Sequence, residues 1–397
     1  MPHERDRHIK ELLIKSLKYS PIVGILGHRQ VGKTTLSSAL SSTYFTLDLK
    51  QILDTIQDNP MQFLENNRGK PLVIDECQLA AELFPALKEF VRVNKKPGQI
   101  LLTGSVRFTS RKVITESLTG RIINWELLPM NYSELNSLPL SDKLVRFLGA
   151  KSIEVDINKK PLNLNREIIR YLKCGGLPGI FSLRDEAIRF QKFETQLQAM
   201  IERDLKLILD TSLSFRTILL LVKYFVDRQG VPLNYADASR STRISIPTIK
   251  KLLYAFEAMF LVRVYDSEGG QKAPVLYFED QGEASHLMVQ ARTEFQEVEH
   301  YFYANFRSQW MYRPELSIRM TQYRTRSGAV VPFVLRDKKN VLGILPIADE
   351  NPSFAVFGSA RSFLSENPHA KVLYVHGGTT DKILNSRERI ISMGALM

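Results

Sequence analysis

The residues able to do chemistry gather early in the chain. Gly27-His28-Arg29-Gln30-Val31-Gly32-Lys33-Thr34-Thr35 fits G-x-x-x-x-G-K-[ST], a spacing that wraps backbone N–H groups around a polyphosphate. Gly27 and Gly32 leave no Cβ in the way of the anion. Lys33 would reach the terminal phosphates, and the Thr34 hydroxyl would ligate Mg2+. Further on, Leu72-Val73-Ile74-Asp75-Glu76 is an apolar run ending in two acids. Asp75 would hold the metal through water, facing Thr34, and Glu76 would orient and polarise an attacking water. In isolation the same pair would read as a helix-capping turn; the loop upstream favours the chemical reading. Thr103 and Ser105 close the run Gln99 to Ser105 and are candidates for a polar sensor of the terminal phosphate, Ser105 the better of the two. A strand closed by a Gly turn explains them equally. Arg121 is of the right type for an arginine finger, supplied by its own chain or a neighbour's, or it pairs with a surface acid.

These residues need a rigid support. Pro21 to Leu26 is an apolar run of strand length leading into the loop, and a helix starts at Thr34. Strands are expected also at 44–49, 71–76, 99–105 and 122–127, with amphipathic stretches between them and a helix over 79–93. Strands alternating with helices predict a doubly wound α/β domain with a parallel sheet, 1–135 including a leading helix over 7–19. Residues 136–225 read as a linker and helical lid: polar and irregular to Leu164, a short helix at 168–172, a break at Gly175–Gly179, then helix over 184–225. Within it, Arg203 either senses nucleotide from the lid or sits on a solvated face. Residues 226–282 read as helix, polar turn, a second helix capped by Ser245 with Pro247 in its first turn, and a strand, the pattern of a helix-turn-helix with a wing. Residues 283–397 form a last α/β domain.

Composition narrows the class. The formal charge of +12 invites nucleic-acid contact, but the excess is dispersed over pairs: Lys95-Lys96, Arg111-Lys112, Lys159-Lys160, Lys250-Lys251 and Lys338-Lys339. Cys77 and Cys174 are the sole cysteines and give neither a disulfide framework nor metal-ligand spacing. The charged start is unlike a secretory signal, and runs such as Ile218 to Val222 are too short to cross a bilayer. A cytoplasmic protein without membrane partners is expected.

With these pieces in order, the chain resembles a family of prokaryotic AAA+ ATPases in which the ATPase domain is followed by a winged helix and a carboxy-terminal domain of unknown function 4143, similar to restriction-endonuclease-like nucleases. The resemblance is carried by residues 27–35, 72–76, 101–105, 118–122 and 128–135, then by Gly175 to Pro178, Arg203-Asp204, 244–253 and Tyr277-Phe278-Glu279-Asp280-Gln281-Gly282. It implies an ASCE-type P-loop sheet, ATP and Mg2+ as cofactors, and hydrolysis to ADP driving a conformational change. The carboxy-terminal part departs from the pattern. Where the family shows Glu-Val-Asp-Phe, this chain has Val330-Val331-Pro332-Phe333, and the later Glu-x-Lys is missing from Leu342 to Ile347. Glu299 is left as one early acid, and one carboxylate does not hold a catalytic metal. No nuclease chemistry is expected there.

Two further readings stand beside an ATPase. One is a nucleotide-gated regulator with little turnover, contacting DNA through Lys250 and Lys251, a protein partner, or copies of itself. The other, a small-molecule kinase, usually lacks the adjacent Asp75-Glu76 pair.

Overall fold

The computed structural model describes residues 5–69, 71–108, 116–157 and 161–397. The first four residues and the basic pairs Arg111-Lys112 and Lys159-Lys160 lie outside the described residues.

β1 (Ile22–Leu26), β2 (Thr43–Thr46), β3 (Leu72–Asp75), β4 (Ile100–Gly104) and β5 (Ile122–Glu126) form a parallel sheet in the order β2-β3-β4-β1-β5. β1, β3 and β4 are buried throughout, as apolar strands covered on both faces must be. Their side chains alternate: Ile22 and Leu26 join Phe84 and Leu87 of the helix Leu83–Val93 on one face, while Val23 and Ile25 join Leu36 of the helix Lys33–Ser38 on the other. Because β4 lies between β1 and β3, the phosphate loop, the two acids and the polar residues after β4 all leave the same edge of the sheet.

A second core packs the helices Glu186–Ala199, Phe215–Val226, Tyr235–Thr242, Ile246–Ala258 and Gln281–Leu287 around Leu221, Leu252, Phe256 and Phe278. β6 (Val262–Tyr265) is followed by the short β7 (Ser267–Glu268) and by β8 (Val275–Phe278), which pairs antiparallel with β6. Asn234 and Ser245 cap their helices, each accepting from the N–H three residues on. The expected helical stretch over 184–225 is interrupted. It widens into a π-turn at Met200–Asp204, tightens at Leu205–Leu207, and restarts where Ser214 accepts from the Thr217 N–H.

The third core surrounds a seven-stranded sheet in the order β13-β14-β12-β11-β10-β9-β7, with β9 (Arg319–Arg324), β10 (Val330–Arg336), β11 (Val341–Pro346), β12 (Lys371–His376), β13 (Asp381–Asn385) and β14 (Glu388–Ser392). β9, β10 and β11 run antiparallel, then β11, β12 and β14 run parallel. The helices Glu294–Phe306 and Phe354–Glu366 cover opposite faces: Phe302 meets Phe333 and Leu342, and Phe363 meets Val331 and Val372. This core also takes Leu144, Phe147 and Leu148 from the helix Lys143–Gly149, and Ile168, Tyr171 and Leu172 from Asn165–Cys174. The helices Lys143–Gly149 and Asn165–Cys174, expected in a linker and lid, therefore pack with the last domain. The apolar triplet at i, i+3 and i+4 is hidden by its polar flanks. Among the described residues no helix is long and apolar enough to cross a membrane.

Candidate functional site

The phosphate loop leaves the tip of β1. Gly32 sits at φ 100° as the cap of the helix Lys33–Ser38, a conformation that a Cβ would strain, and a Cβ there would also meet the Arg7 guanidinium at 3.3 Å. Lys33 is buried, its ammonium bridging the Gly27 and His28 carbonyls at 3.0 Å each. Burial lowers its pKa, against the opposing charges of Glu76, Asp75 and Asp204. Gln30 and Thr35 are exposed, and Val31 packs into the domain core.

Opposite the loop, the Thr34 hydroxyl donates to Asp75 Oδ2 at 2.7 Å. Tyr44 and Thr103 also donate to Asp75, through their hydroxyls. Burial and the Asp75 carboxylate push the Tyr44 hydroxyl far up, so it remains a donor. Glu76 stands in the left-handed region at φ 55°, which turns it away from the strand line. Its N–H donates to Thr103 Oγ1, and its carboxylate accepts from Ser105 Oγ at 3.3 Å and from Gln78 Nε2. Gln78 Nε2 also reaches Ser105 Oγ at 3.0 Å. The structure thus brings Lys33, Thr34, Asp75, Glu76 and Ser105 to one edge. Gln30 and Glu76 are two of six non-glycine residues with positive φ among those described, and strain of this kind concentrates at functional sites.

Arg121 is placed elsewhere. β5 pairs with β1 from Ile22↔Ile122 onward, so Arg121 stands at the amino ends of the strands. The loop leaves their carboxyl ends, about 15 Å away at the usual rise per strand residue. Arg121 donates to the Thr119 carbonyl at 3.2 Å. The register corrects the expectation of a finger supplied from its own chain.

Contacts invisible to spacing arguments grip the loop from three sides. Arg7 donates to the carbonyls of Val31 (2.7 Å) and Leu128 and pairs with buried Glu134 at 3.2 Å. His28, 1 % exposed, meets Glu283 of the helix Gln281–Leu287 at 3.0 Å. Arg29 reaches Asp204 of the π-turn at 3.3 Å, and the neighbouring Arg203 holds Asp48 at 2.6 Å, just beyond β2. Asp280 ties the arrangement together. One oxygen accepts from the Gly176 N–H at 2.7 Å and the other from the N–H groups of Gly282 and Glu283. Gly176 in turn accepts from the Met130 N–H at 2.8 Å. Two sequence signals bear on these joints, the charged trio at 202–204 and the tract at 277–282.

Comparison with known proteins agrees with the first unit. Residues 19–136 match the family described as AAA domain, a nucleotide-binding ATPase domain, and residues 165–294 match a domain of unknown function, DUF8612. The chain is 26 % identical over 282 residues to the uncharacterized protein Rv2008c of Mycobacterium tuberculosis, covering 68 % of this chain and 56 % of that one. It is 27 % identical over 195 residues to the uncharacterized protein MJ1544 of Methanocaldococcus jannaschii, covering 45 % and 41 %. The chain thus spans about half the length of the curated relatives it matches. Among solved structures, the Walker-type ATPase PABY2304 of Pyrococcus abyssi is similar over 71 % of this chain and 95 % of its own, at 16 % identity and a TM-score of 0.43.

Proposed function

We propose that this chain is a Mg2+-dependent AAA+-type ATPase that binds and hydrolyses ATP and couples its nucleotide state to movement of the helical unit. The observation that carries the reading is the pairing of Thr34 with Asp75 at 2.7 Å directly beside Glu76, at the edge where Lys33 opens. The donors there are hard oxygens, the chemistry Mg2+ requires. Thr34 and Asp75 would hold the ion, which when bound neutralises charge on the terminal phosphates.

On this reading the chain's own residues do the rest. Lys33 exchanges the Gly27 and His28 carbonyls for phosphate oxygens, and the N–H groups of residues 32–35 face the anion. Glu76, steadied by Ser105 and Gln78, orients the water for in-line attack. Exchange of ATP for ADP then acts on His28 and Arg29, whose partners Glu283 and Asp204 belong to the helical unit. Phosphate release by wild type and Glu76→Gln tests it, with ATP binding measured in parallel. The variant should keep binding while release falls on the order of 100-fold. Equally slow release from both proteins, with binding intact, sinks the enzyme reading in favour of a nucleotide-gated switch.

We read the helices 215–258 with β6 and β8 as a winged helix. The carboxy-terminal sheet reads as a nuclease-like domain without its chemistry: Val330 and Pro332 of β10 and Leu345 of β11 border the cavity where a nuclease of this type would need acids. A DNA-binding role has one observation in its favour, the exposure of Lys250 and Lys251 on the helix Ile246–Ala258. Affinity for DNA that steepens with falling salt, and flattens in Lys250→Ala and Lys251→Ala, would support it; no binding at low salt removes it. We place the protein in the cytoplasm.

A further inference from the structure

Away from the phosphate loop, a cavity of about 380 Å3 opens between the turn at Gln229–Val231 and the strands β9, β10 and β11. Two charged side chains border it. Glu299, 5 % exposed, accepts the Tyr277 hydroxyl at Oε1, and no other hydrogen bond reaches its carboxyl among the described residues. Arg324, at the end of β9, donates Nε to Gln322 at 3.2 Å, and among the described residues no carboxylate lies in ion-pair contact with it. The two charges influence one another through space without forming a pair. A buried carboxyl and a half-buried guanidinium held apart across a cavity carry an uncompensated desolvation cost.

The surroundings are built to keep this arrangement. Gly230 sits at φ +71°, and a Cβ there would stand 2.3 Å from Glu299 Oε1, so glycine is what admits the carboxyl. Gln322 Nε2 donates to the Gly230 carbonyl at 2.9 Å, and Tyr277 stacks on Tyr303 with ring centroids 4.5 Å apart. The adjoining wall is apolar, formed by Val330, Pro332 and Leu345. Its size and its few convergent polar groups are those of a small-molecule site.

We propose that this cavity binds a small zwitterion, an α-amino acid with an apolar side chain, its ammonium on Glu299, its carboxylate on the Arg324 guanidinium, and its side chain along Val330, Pro332 and Leu345. A plain anion would leave Glu299 without an opposite charge and a plain amine would leave Arg324 without one. A molecule carrying both charges on one carbon answers both with charge-assisted hydrogen bonds. The same ligand would touch Gln229 and Gly230, between two helices of the second core, and the strands of the third. It would join those two units whatever the phosphate loop does.

The test is calorimetric titration of the full chain with free amino acids, each compared with its decarboxylated amine and its deaminated acid. At least one apolar amino acid should bind, with both analogues about tenfold weaker or worse. Glu299→Gln and Arg324→Gln should each weaken it by about tenfold or more. Ala355→Trp, at the exposed rim and away from both charges, should block binding and leave thermal unfolding unchanged. The proposal is overturned if no amino acid binds at millimolar concentration, or if the deaminated acid binds as well. It is equally overturned if folded Glu299→Gln and Arg324→Gln keep full affinity. Should those two variants fail to fold, Ala355→Trp decides: unchanged affinity overturns the site.

Discussion

His28 Nε2 lies 3.0 Å from Glu283 Oε2, joining the phosphate loop to a helix 255 positions later, and both side chains are buried. Burial pulls the imidazole down, but the Glu283 charge and hydrogen bond, with the Arg29 carbonyl, raise its pKa above 6.5. His28→Ala or Glu283→Gln leaves a buried polar partner unanswered, at an expected cost of about 3–5 kcal/mol in denaturant unfolding. The double variant should cost less than the sum of the two. Because the folded pKa is raised, the pair's contribution is complete below the unfolded value of 6.5 and is lost as pH rises through the folded pKa. Unfolding curves across that range should lose this slope in His28→Ala.

Arg203 is held by Asp48 at 2.6 Å, next to the Asp204 that grips Arg29. If it turns to nucleotide during turnover, Arg203→Ala should lower phosphate release about tenfold or more with little change in stability. Asp48→Ala, which leaves the guanidinium only Asp204 at 3.9 Å, should not lower it. Release unchanged in Arg203→Ala assigns the residue to the surface.

Arg121 stands at the amino ends of the strands, so a finger role would require a neighbouring copy. Specific ATPase activity measured against protein concentration separates the cases. Wild type and Arg121→Ala should coincide at every concentration if it is a surface residue. They should diverge only as the protein assembles if it is a finger in trans.

Glu279 is buried between Arg263 at 2.8 Å and Arg307 at 2.5 Å. Burial works against its charge, but the two guanidinia outweigh that and hold its pKa at about 2, below the usual 4.5. A depressed carboxylate stabilises above its unfolded pKa, and the contribution is lost as pH falls from 4.5 toward 2. Glu279→Gln should remove up to about 3 kcal/mol of that acid dependence, and should destabilise at neutral pH by leaving the buried Arg307 without a carboxylate, while Arg263 keeps Glu126.

Glu299 has the opposite sign. Burial lifts its carboxyl to about 7, with the Tyr277 hydrogen bond and Arg324 only partly opposing. The folded state holds that proton more tightly than the unfolded chain, so stability falls as pH rises from 4.5 to about 7. Relative to wild type, Glu299→Gln should gain up to about 3 kcal/mol across that window. A difference that does not vary with pH would contradict the assignment.

The sequence made the phosphate site legible because its residues are near in the chain and each strand tip is marked by apolar-to-polar change. Lys33, Asp75 and Ser105 needed only a parallel sheet to meet, and the sheet order supplies it. What grips the loop was hidden for the opposite reason. Arg7, Asp204 and Glu283 are ordinary charged residues, and nothing in their local pattern names a partner far along the chain. The tract 277–282 becomes intelligible only in three dimensions: Tyr277 serves the Glu299 cavity, Glu279 the arginine pair, and Asp280 the Gly176 joint. The helix Lys143–Gly149 was missed because its three buried residues lie in a polar stretch, where burial is decided by a distant sheet.

The packing of the helices Lys143–Gly149 and Asn165–Cys174 into the core around that sheet has a consequence for how the protein is made. The first sheet closes with β5, and its core draws mainly on residues already synthesised by then. Leu144, Phe147, Ile168 and Leu172, by contrast, share a core with Leu342 and Leu373, which leave the ribosome much later. In between, the whole second core is synthesised. The apolar faces of these two amphipathic helices must therefore wait incompletely covered while their partners are translated, and during that wait they are a natural target for chaperones. Slowing translation after residue 287 should lengthen the protease sensitivity of 143–174 in ribosome-bound chains, while residues 22–104 are already protected.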